Sequence, residues 1–213
     1  MNKNIQLFSM GSSGSYFLAK WLEEVSRVNR FEFMYDYVHD GKTDYPYKHQ
    51  PHPPSELILE NAIVIYTYCT PFNHALGMFG KRKKRRHIKH CRNMGGDAQK
   101  LKAVSPMCHN KVWVQQYGNF IKNGVDYFGY FNHLNNWLSA KTPYRRVLLK
   151  YETLEHELEN LMNLLELTMP TPPEFRKRRS DYRTLPTTIK SGLMEMFAEE
   201  YKLYESLDSI TIV

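Results

Sequence analysis

The sequence predicts a single α/β domain spanning residues 1–213, with helices on both faces of a central parallel sheet, in three α/β/α layers. Two segments, Ala62–Tyr68 and Arg146–Tyr151, have apolar centres without alternation, which is typical of strands covered on both faces. Amphipathic helical patterns lie between these segments and after them. A third apolar segment, Ile5–Phe8, leads into a loop of glycine and serine and then into a helix.

Elements in the first half of the chain follow from local signals. Glycine and serine precede the first helix, and four prolines within His39–Pro54 exclude a regular helix or strand there. The predicted elements are a strand at Ile5–Phe8, a helix at Ser15–Arg30, a weakly alternating strand at Phe31–Tyr37, one or two helical turns at Ser55–Glu60, a strand at Ala62–Tyr68 and a short helix at His74–Phe79.

Elements in the second half follow from periodicity and from glycine. Apolar residues that recur every three or four positions predict three helices, at Asp126–Leu138, Glu152–Leu167 and Pro186–Leu207. The strand at Arg146–Tyr151 separates the first two of them. Gly95 and Gly96 mark Arg92–Pro106 as a loop.

Composition narrows the class of protein. A formal net charge of +7 with 42% hydrophobic residues indicates a packed globule with an anionic partner. No apolar run approaches the roughly 18 residues of a membrane-spanning helix, and the N-terminus lacks the pattern of a signal peptide. The three cysteines, Cys69, Cys91 and Cys108, suit a reducing compartment. We therefore expect a cytoplasmic protein without a membrane span.

The segment Ser9–Tyr16 has the composition of a phosphate-binding loop. Its glycines permit positive φ and a close approach of the backbone to a ligand. The first free N–H groups of the following helix would face an anion, with further donors from the hydroxyls of Ser12, Ser13 and Ser15. It is not a Walker A loop, because no Gly-Lys-Ser/Thr follows. The alternative is a turn that only caps a helix.

Several stretches together resemble the sulfotransferase family, whose members transfer a sulfuryl group from 3′-phosphoadenosine 5′-phosphosulfate (PAPS) to a hydroxyl or amine. Ser9–Leu18 is similar to the family's 5′-phosphosulfate loop, and Ala62–Gly77 lies where the family has its second strand and 3′-phosphate motif. Val147–Leu154 resembles the family's V-L-x-x-R-Y-E-D-L stretch. Phe175–Lys177 and Ser180–Tyr182 resemble the family's R-K-G and G-D-W elements, which come late in the chain. The resemblance spans nearly the whole chain in order and implies a P-loop nucleotide kinase-like fold.

The resemblance also implies which residues form the site, and it shows which of the family's site residues are missing from this sequence. The 5′ end of PAPS would be held by Gly11, Ser12, Ser13, Gly14, Ser15 and Tyr16, and the 3′ end by Arg176 and Lys177. The family's loop carries a Lys or Arg that bonds the bridging oxygen, and Ser12 takes this catalytic position here. The family's 3′-phosphate Arg and Ser fall on Cys69 and Gly77. Three explanations of these gaps are open. Lys or Arg from the basic segments replaces the missing groups, the protein uses a different donor molecule, or it has lost catalysis.

A general base must remove the proton of the acceptor, and histidine suits this task at neutral pH. The family often places this base in a K-T-H-x-P segment before the second strand, and Lys48–Pro51 lies at about that place. His49 is the first candidate for the base, His52 is the second and His39 is weaker. The alternative is that all three are surface histidines of a proline-rich loop.

Two basic segments predict contacts with anions. Lys81–Arg86 has six successive cations, which fit an anionic glycan acceptor, the phosphates of the cofactor or, less readily, a nucleic acid. A nuclear-import signal or a solvated loop would have the same sequence. Arg176–Arg179 fits a 3′-phosphate or a basic surface linker. The set formed by His87, His90, Cys91, Cys108 and His109 matches no compact zinc-finger spacing, so no metal site is predicted.

The leading hypothesis is therefore a PAPS-dependent sulfotransferase that acts on a hydroxyl of a glycan or small molecule. The second is a catalytically impaired protein of the same fold that binds polyanions. A nucleotide kinase is disfavoured, because the Walker lysine is missing.

Overall fold

A mostly parallel sheet lies at the centre of the protein, whose computed structural model describes residues 4–11, 13–35, 49–79, 86–104, 118, 120–172, 174–175 and 181–213. Within these ranges the strands are β1 (Ile5–Ser9), β2 (Phe33–Met34), β3 (Ile63–Tyr68), β4 (Arg146–Lys150) and β5 (Ile210–Ile212). They form one sheet in the order β2-β1-β3-β4-β5, in which only the pairing of β5 with β4 is antiparallel.

The strand order produces a change of direction beside β1. The chain first moves from β1 to β2 on one side and then returns to β3 on the other side, with Ile5 paired to Phe33 and to Ile63. The carboxyl ends of β1 and β3 are therefore a topological switch point, which is where ligands bind in open α/β sheets.

Helices flank the sheet on both faces. In chain order they are α1 (Ser15–Asn29), α2 (Pro71–Phe79), α3 (Arg86–Asn93), α4 (Ala98–Val104), α5 (Tyr130–Ser139), α6 (Leu154–Leu165), α7 (Thr187–Met196) and α8 (Ala198–Ser206), with a 3-10 turn at Tyr182–Thr184. None of the helices among the described residues has the length and apolarity that crossing a membrane requires.

Alternation along the strands builds two hydrophobic cores. Ile5 and Leu7 of β1 pack with α1 and α6 in one core, whereas Phe8 points into the other. The second core contains side chains of α2, α5, α7 and α8. The predicted α/β architecture, a mostly parallel sheet between helices, is thus confirmed.

The second core is rich in aromatic rings, and the polar end of Tyr66 is hydrogen-bonded within it. Tyr66 stacks on Trp137 with ring centroids 4.3 Å apart, and its hydroxyl bonds Nδ1 of His133 at 2.7 Å. Burial lowers the pKa of His133 to about 3, and the nearby His52 adds to this effect. His133 is therefore neutral at physiological pH and accepts the hydrogen of the tyrosine.

A buried cation lies at the C-terminal end of α5. The Arg146 side chain is almost fully buried, and its guanidinium donates to the carbonyls of Trp137 and Ala140 at the C-terminal end of that helix. These carbonyls have no partner within the helix and carry its negative partial charge, so they stabilise the cation.

Several predicted boundaries were wrong for local reasons. The expected loop at Arg92–Pro106 contains the end of α3 and all of α4, because the Asp97 carboxylate accepts the N–H of Lys100 and caps the new helix. The predicted helical turns at Ser55–Glu60 are bends and turns.

The later helices also differ from their predicted ranges. The helix expected from Asp126 starts at Tyr130, because the Asp126 carboxylate accepts the N–H groups of Phe128 and Tyr130. The last helix bends at Phe197, whose buried ring packs on Phe72 and Phe120. The edge strand β5 was not predicted.

Candidate functional site

The candidate site lies at the switch point, where the loops after β1 and β3 run side by side. The N–H of Met10 donates to the carbonyl of Thr67, at 3.0 Å, so the first loop leaves the sheet beside β3. The second loop, Cys69 to Thr70, leads directly into α2. Predicted residues Gly11, Ser13, Gly14, Ser15 and Tyr16 all lie here, and Ser12 lies outside the described residues.

Gly14 shapes the turn from the first loop into α1. It is the N-cap residue, with φ of +70°, a conformation that side chains disfavour. A Cβ at this position would lie 1.7 Å from Cε2 of Tyr151, which follows β4. Two features therefore require glycine at this position: the positive φ of the backbone and the aromatic ring that covers the residue.

The start of α1 offers backbone donors to the space beyond the sheet. Gly14 brings no capping side chain, and its carbonyl accepts the N–H groups of Phe17 and Leu18. The first turn contains no acidic residue, so the positive end of the 15-residue helix is not neutralised from within it. Such an end attracts anions.

Two predicted hydroxyls are engaged within the fold. Ser13 is fully buried, and its Oγ bonds Oγ1 of Thr67 at 2.9 Å. Ser15 Oγ bonds the hydroxyl of Tyr35 at 2.7 Å. Tyr16 is 66% exposed and lies beneath the ammonium of Lys20, which is 5.0 Å from its ring centroid. In the described part of the loop, main-chain N–H groups are therefore the principal hydrogen-bond donors for an anion.

His49 is a buried member of the site. Its exposure is only 4%, and Nδ1 lies 2.8 Å from the carbonyl of Ser9 and 3.1 Å from the Ser9 hydroxyl. A carbonyl oxygen only accepts, so Nδ1 carries the hydrogen and Nε2 of the neutral ring bears the lone pair. This is the tautomer of a histidine that acts as a base through Nε2.

Two further histidines, which the sequence did not single out for this site, approach the same loop. Nδ1 of His74, in α2, donates to the carbonyl of Gly11 at 3.2 Å. His90, in α3, meets the ring of His49 edge-on with centroids 5.0 Å apart. Three imidazoles from three separate segments therefore surround the backbone at Gly11.

A pocket of about 420 Å³ opens beside His49. Its walls are formed by residues 49–53 and by Arg92 and Asn93 at the end of α3. His52 is exposed at this pocket, with Nε2 3.5 Å from Nδ2 of Asn136. The carbonyl of Pro51 accepts from Asn136 and that of Gln50 from Trp137, so α5 holds the segment.

The loop after β3 is organised by Glu152. One carboxylate oxygen accepts the N–H of Thr70, at 3.2 Å, and Nδ2 of Asn73, at 3.0 Å. The other accepts the hydroxyl of Tyr204, at 3.2 Å. The carbonyl of Cys69 accepts the hydroxyl of Tyr130. Donors at the start of α2 are therefore already used by an acidic side chain.

The described residues that flank the second basic segment contact both helix starts. Phe175 packs on Phe17 of α1, with ring centroids 4.6 Å apart. Tyr182 packs on Phe72 of α2 at 4.8 Å, and its N–H donates to Oδ1 of Asn73 at 3.1 Å. The predicted site residues Arg176 and Lys177 lie outside the described residues, as does the basic run up to Arg85 and the weaker candidate His39.

Among the residues that the structure describes, no group of three or more His, Cys, Asp or Glu side chains is arranged to hold a metal ion. The chain was compared with models of known protein families, with curated proteins and with solved structures, and none of them matched.

Proposed function

We propose that the protein is a sulfotransferase of P-loop nucleotide kinase-like type that uses PAPS as its sulfuryl donor. The observation that carries the proposal is the convergence of sequence-distant stretches at one edge of the sheet. The loop at Gly11–Ser15 touches Tyr151, which belongs to the third resembling stretch. The residues on either side of Arg176–Ser180 pack against the starts of α1 and α2.

The 5′ end of the donor fits the loop after β1. The positive φ of Gly11 and Gly14 and the start of α1 offer backbone N–H groups to a phosphosulfate at the switch point. In sulfuryl transfer, charge develops on the equatorial oxygens and on the departing phosphate, so fixed donors at this place stabilise the transition state.

The 3′ end relies on residues beyond the two loops. Because Glu152 uses the N–H of Thr70 and the amide of Asn73, the start of α2 has fewer donors for a 3′-phosphate. In the proposal, Arg176 and Lys177 supply the positive charge for this group. Charged hydrogen bonds of this kind contribute about 1.5–3 kcal/mol each.

The proposed base is His49. Its Nδ1–H is held by the carbonyl of Ser9, so Nε2 is the atom that takes the proton from an acceptor hydroxyl. The adjoining pocket of about 420 Å³ is large enough for a sugar or another small acceptor. His52, exposed at the same pocket, remains the second candidate.

Calorimetric titration with 3′-phosphoadenosine 5′-phosphate (PAP), the product left after transfer, tests the donor site. We expect saturable binding, and we expect adenosine 5′-phosphate to bind at least about tenfold more weakly, because it lacks the 3′-phosphate. Replacing both Arg176 and Lys177 by alanine should weaken PAP binding by about 100-fold or more and leave adenosine 5′-phosphate nearly unaffected.

A matched control removes one lysine and one arginine elsewhere. Lys141 and Arg145 are both exposed, in the connection between α5 and β4, and their joint replacement by alanine should leave PAP affinity unchanged. The absence of any binding at high micromolar PAP would overturn the assignment of PAPS as the sulfuryl donor. Equal effects of the two double variants would remove the assigned role of Arg176 and Lys177.

Transfer itself separates the two candidate bases. The measurement follows a labelled sulfuryl group from PAPS to chemically desulfated heparin. His49→Gln should keep PAP affinity within about threefold and lower the transfer rate by about 100-fold or more, since a positioned base contributes at least that factor. His52→Gln is the matched variant, and loss of transfer in it alone would move the role of base to His52.

The second candidate function is binding of polyanions without catalysis. The observation that favours it is the basic character of α3, which has the sequence R-H-I-K-H-C-R-N without an acidic residue and which ends at the pocket with Arg92. In this function the cations of Lys81–Arg86 also bind the polyanion.

Affinity for heparin at several salt concentrations tests this second function. Binding should weaken steeply with salt, because counterions are released, and it should vanish when Lys81–Arg86 are replaced by glutamine. Binding that persists in that variant would exclude this surface. A protein that binds heparin and PAP but transfers nothing would favour the second function over the first.

A further inference from the structure

The loop that binds the anion in the proposed function has no cation of its own. Ser9–Tyr16 contains neither lysine nor arginine. The first lysine of α1 is Lys20, and its ammonium lies over the ring of Tyr16. A phosphosulfate or phosphate at the switch point would carry at least two negative charges, so another part of the protein must compensate for them.

Among the described residues, imidazoles from neighbouring segments approach the loop at Gly11. Within the described ranges, and apart from its chain neighbours, a Cβ built on Gly11 would lie 3.7 Å from Nδ1 of His90 and 3.8 and 3.9 Å from two ring atoms of His49. The missing side chain of Gly11 therefore leaves a small space that two histidine rings border. His74 is anchored to the same residue through its carbonyl.

We propose that His90 becomes protonated when the anion binds and that its imidazolium supplies the positive charge that the loop lacks. This inference rests on the proposed function, and it assigns His90 as an additional binding residue for the phosphate or phosphosulfate group. Nδ1 of His90 lies 3.7 Å from the position that a Cβ on Gly11 would occupy. The role is distinct from that of His49, whose Nδ1 is held by Ser9.

Elementary ionisation gives the size of the effect. An ordinary imidazole has a pKa of about 6.5 and is about one-tenth protonated at pH 7.5. An adjacent anion raises the pKa by about two units, so the bound state is about nine-tenths protonated. Binding at pH 7.5 should therefore take up about 0.8 proton per ligand, and affinity should be about tenfold higher than with an uncharged side chain.

Other charged and titratable groups near His90 also bear on the assignment of a proton taken up on binding. The carboxylates on neighbouring described segments are Asp97 before α4, Asp126 before α5 and Glu152 against α2. Of the residues that the structure describes, the basic ones and histidines on nearby segments include His49, His52, His74, His87, Lys89, Arg92 and Lys20. Burial raises the pKa of Asp126 to about 7, and this carboxyl acts on Cys91 next to His90, so substitutions at His90 itself are needed to assign a proton taken up there.

Calorimetry in buffers of different ionisation enthalpy measures this proton directly. PAP is titrated at pH 7.5 in each buffer, and the slope of the observed heat against buffer enthalpy gives the number of protons bound. The phosphates of PAP are almost fully ionised at this pH, since their second pKa is about 6, so the ligand itself takes up none.

Two substitutions at His90 make the test specific. His90→Gln should abolish the uptake and weaken PAP binding about tenfold, whereas His90→Lys should abolish the uptake and retain most of the affinity, because its charge is permanent. His156→Gln, at an exposed position of α6, is the matched control and should behave like the wild type. Unchanged thermal unfolding shows that each variant is folded.

Each outcome decides a different point. Binding of PAP without proton uptake would overturn the role of His90 and leave the donor site standing. Uptake that persists in His90→Gln would move the proton to another titratable group and refute this assignment. No binding of PAP in the wild type would refute the proposed function, and this inference with it.

Discussion

Replacing Gly14 by alanine should lower the free energy of unfolding by about 2–4 kcal/mol, because two costs add at this residue. Its φ of +70° disfavours a side chain by about 1 kcal/mol. A Cβ would also lie 1.7 Å from the ring of Tyr151, so the ring must move out of its packed position. Overpacking of this kind adds about 1–3 kcal/mol.

Gly124 provides the matched control. It also has a positive φ, of +61°, but no described atom lies within 4 Å of the position that its Cβ would occupy. Gly124→Ala should therefore show the backbone cost alone, about 1 kcal/mol. Urea unfolding followed by circular dichroism measures both variants, and the difference between them is the contribution of the ring.

A double-mutant cycle identifies the ring as the cause. In a Tyr151→Ala background, Gly14→Ala should have no larger effect than Gly124→Ala has in the wild type, which corresponds to a coupling of about 1–3 kcal/mol. Equal effects of Gly14→Ala and Gly124→Ala, or a coupling near zero, would refute the contact between the loop after β1 and the residue after β4.

Three further predictions concern polar groups in the core and beside the site. The free energy of unfolding should fall by about 2–3 kcal/mol between pH 7 and pH 4.5, because His133 has a pKa of about 3 in the folded state and about 6.5 when unfolded, so only the unfolded chain binds a proton as the pH falls. Glu152→Ala should cost about 2–4 kcal/mol in urea unfolding, because Asn73 and Tyr204 lose an acceptor, while Glu152→Gln should cost less. Arg146→Met should cost about 2–4 kcal/mol, because two buried carbonyls at the end of α5 lose their donors.

Each of these predictions has its own contradicting result. The acid dependence should flatten in His133→Gln, and an unchanged slope would show that another group is responsible. Glu152→Gln should retain the oxygen that Asn73 needs, so an effect as large as that of Glu152→Ala would contradict the hydrogen-bond account. Arg146→Lys should recover part of the loss, and no recovery would indicate packing of the side chain rather than its charge.

The central strands could be predicted because their burial leaves a local signal. β3 and β4 are covered on both faces, so their sequences are apolar without alternation. The edge strands β2 and β5 are only two and three residues long, and pairing with their neighbours defines them. The prediction of β2 was therefore too long, and β5 was missed.

The polar helices and the histidine cluster show the opposite case. α3 has almost no apolar side chains, so periodicity could not reveal it, and the cap of α4 depends on Asp97, a single residue after two glycines. His49 is a candidate because Lys48–Pro51 resembles the K-T-H-x-P segment of the sulfotransferase family. His74 and His90 could not be found, because packing of α2 and α3 against the loop brings them to Gly11.

The hydrogen bond of Trp137 also provides a spectroscopic reporter of the pocket. Its indole N–H donates to the carbonyl of Gln50, at 3.0 Å, and joins the aromatic core to the residue directly after His49. Exchange of this one proton with deuterated solvent reports how often the pocket wall separates from α5. An NMR spectrum of the indole region can therefore follow both ligand binding and wall opening without any added label.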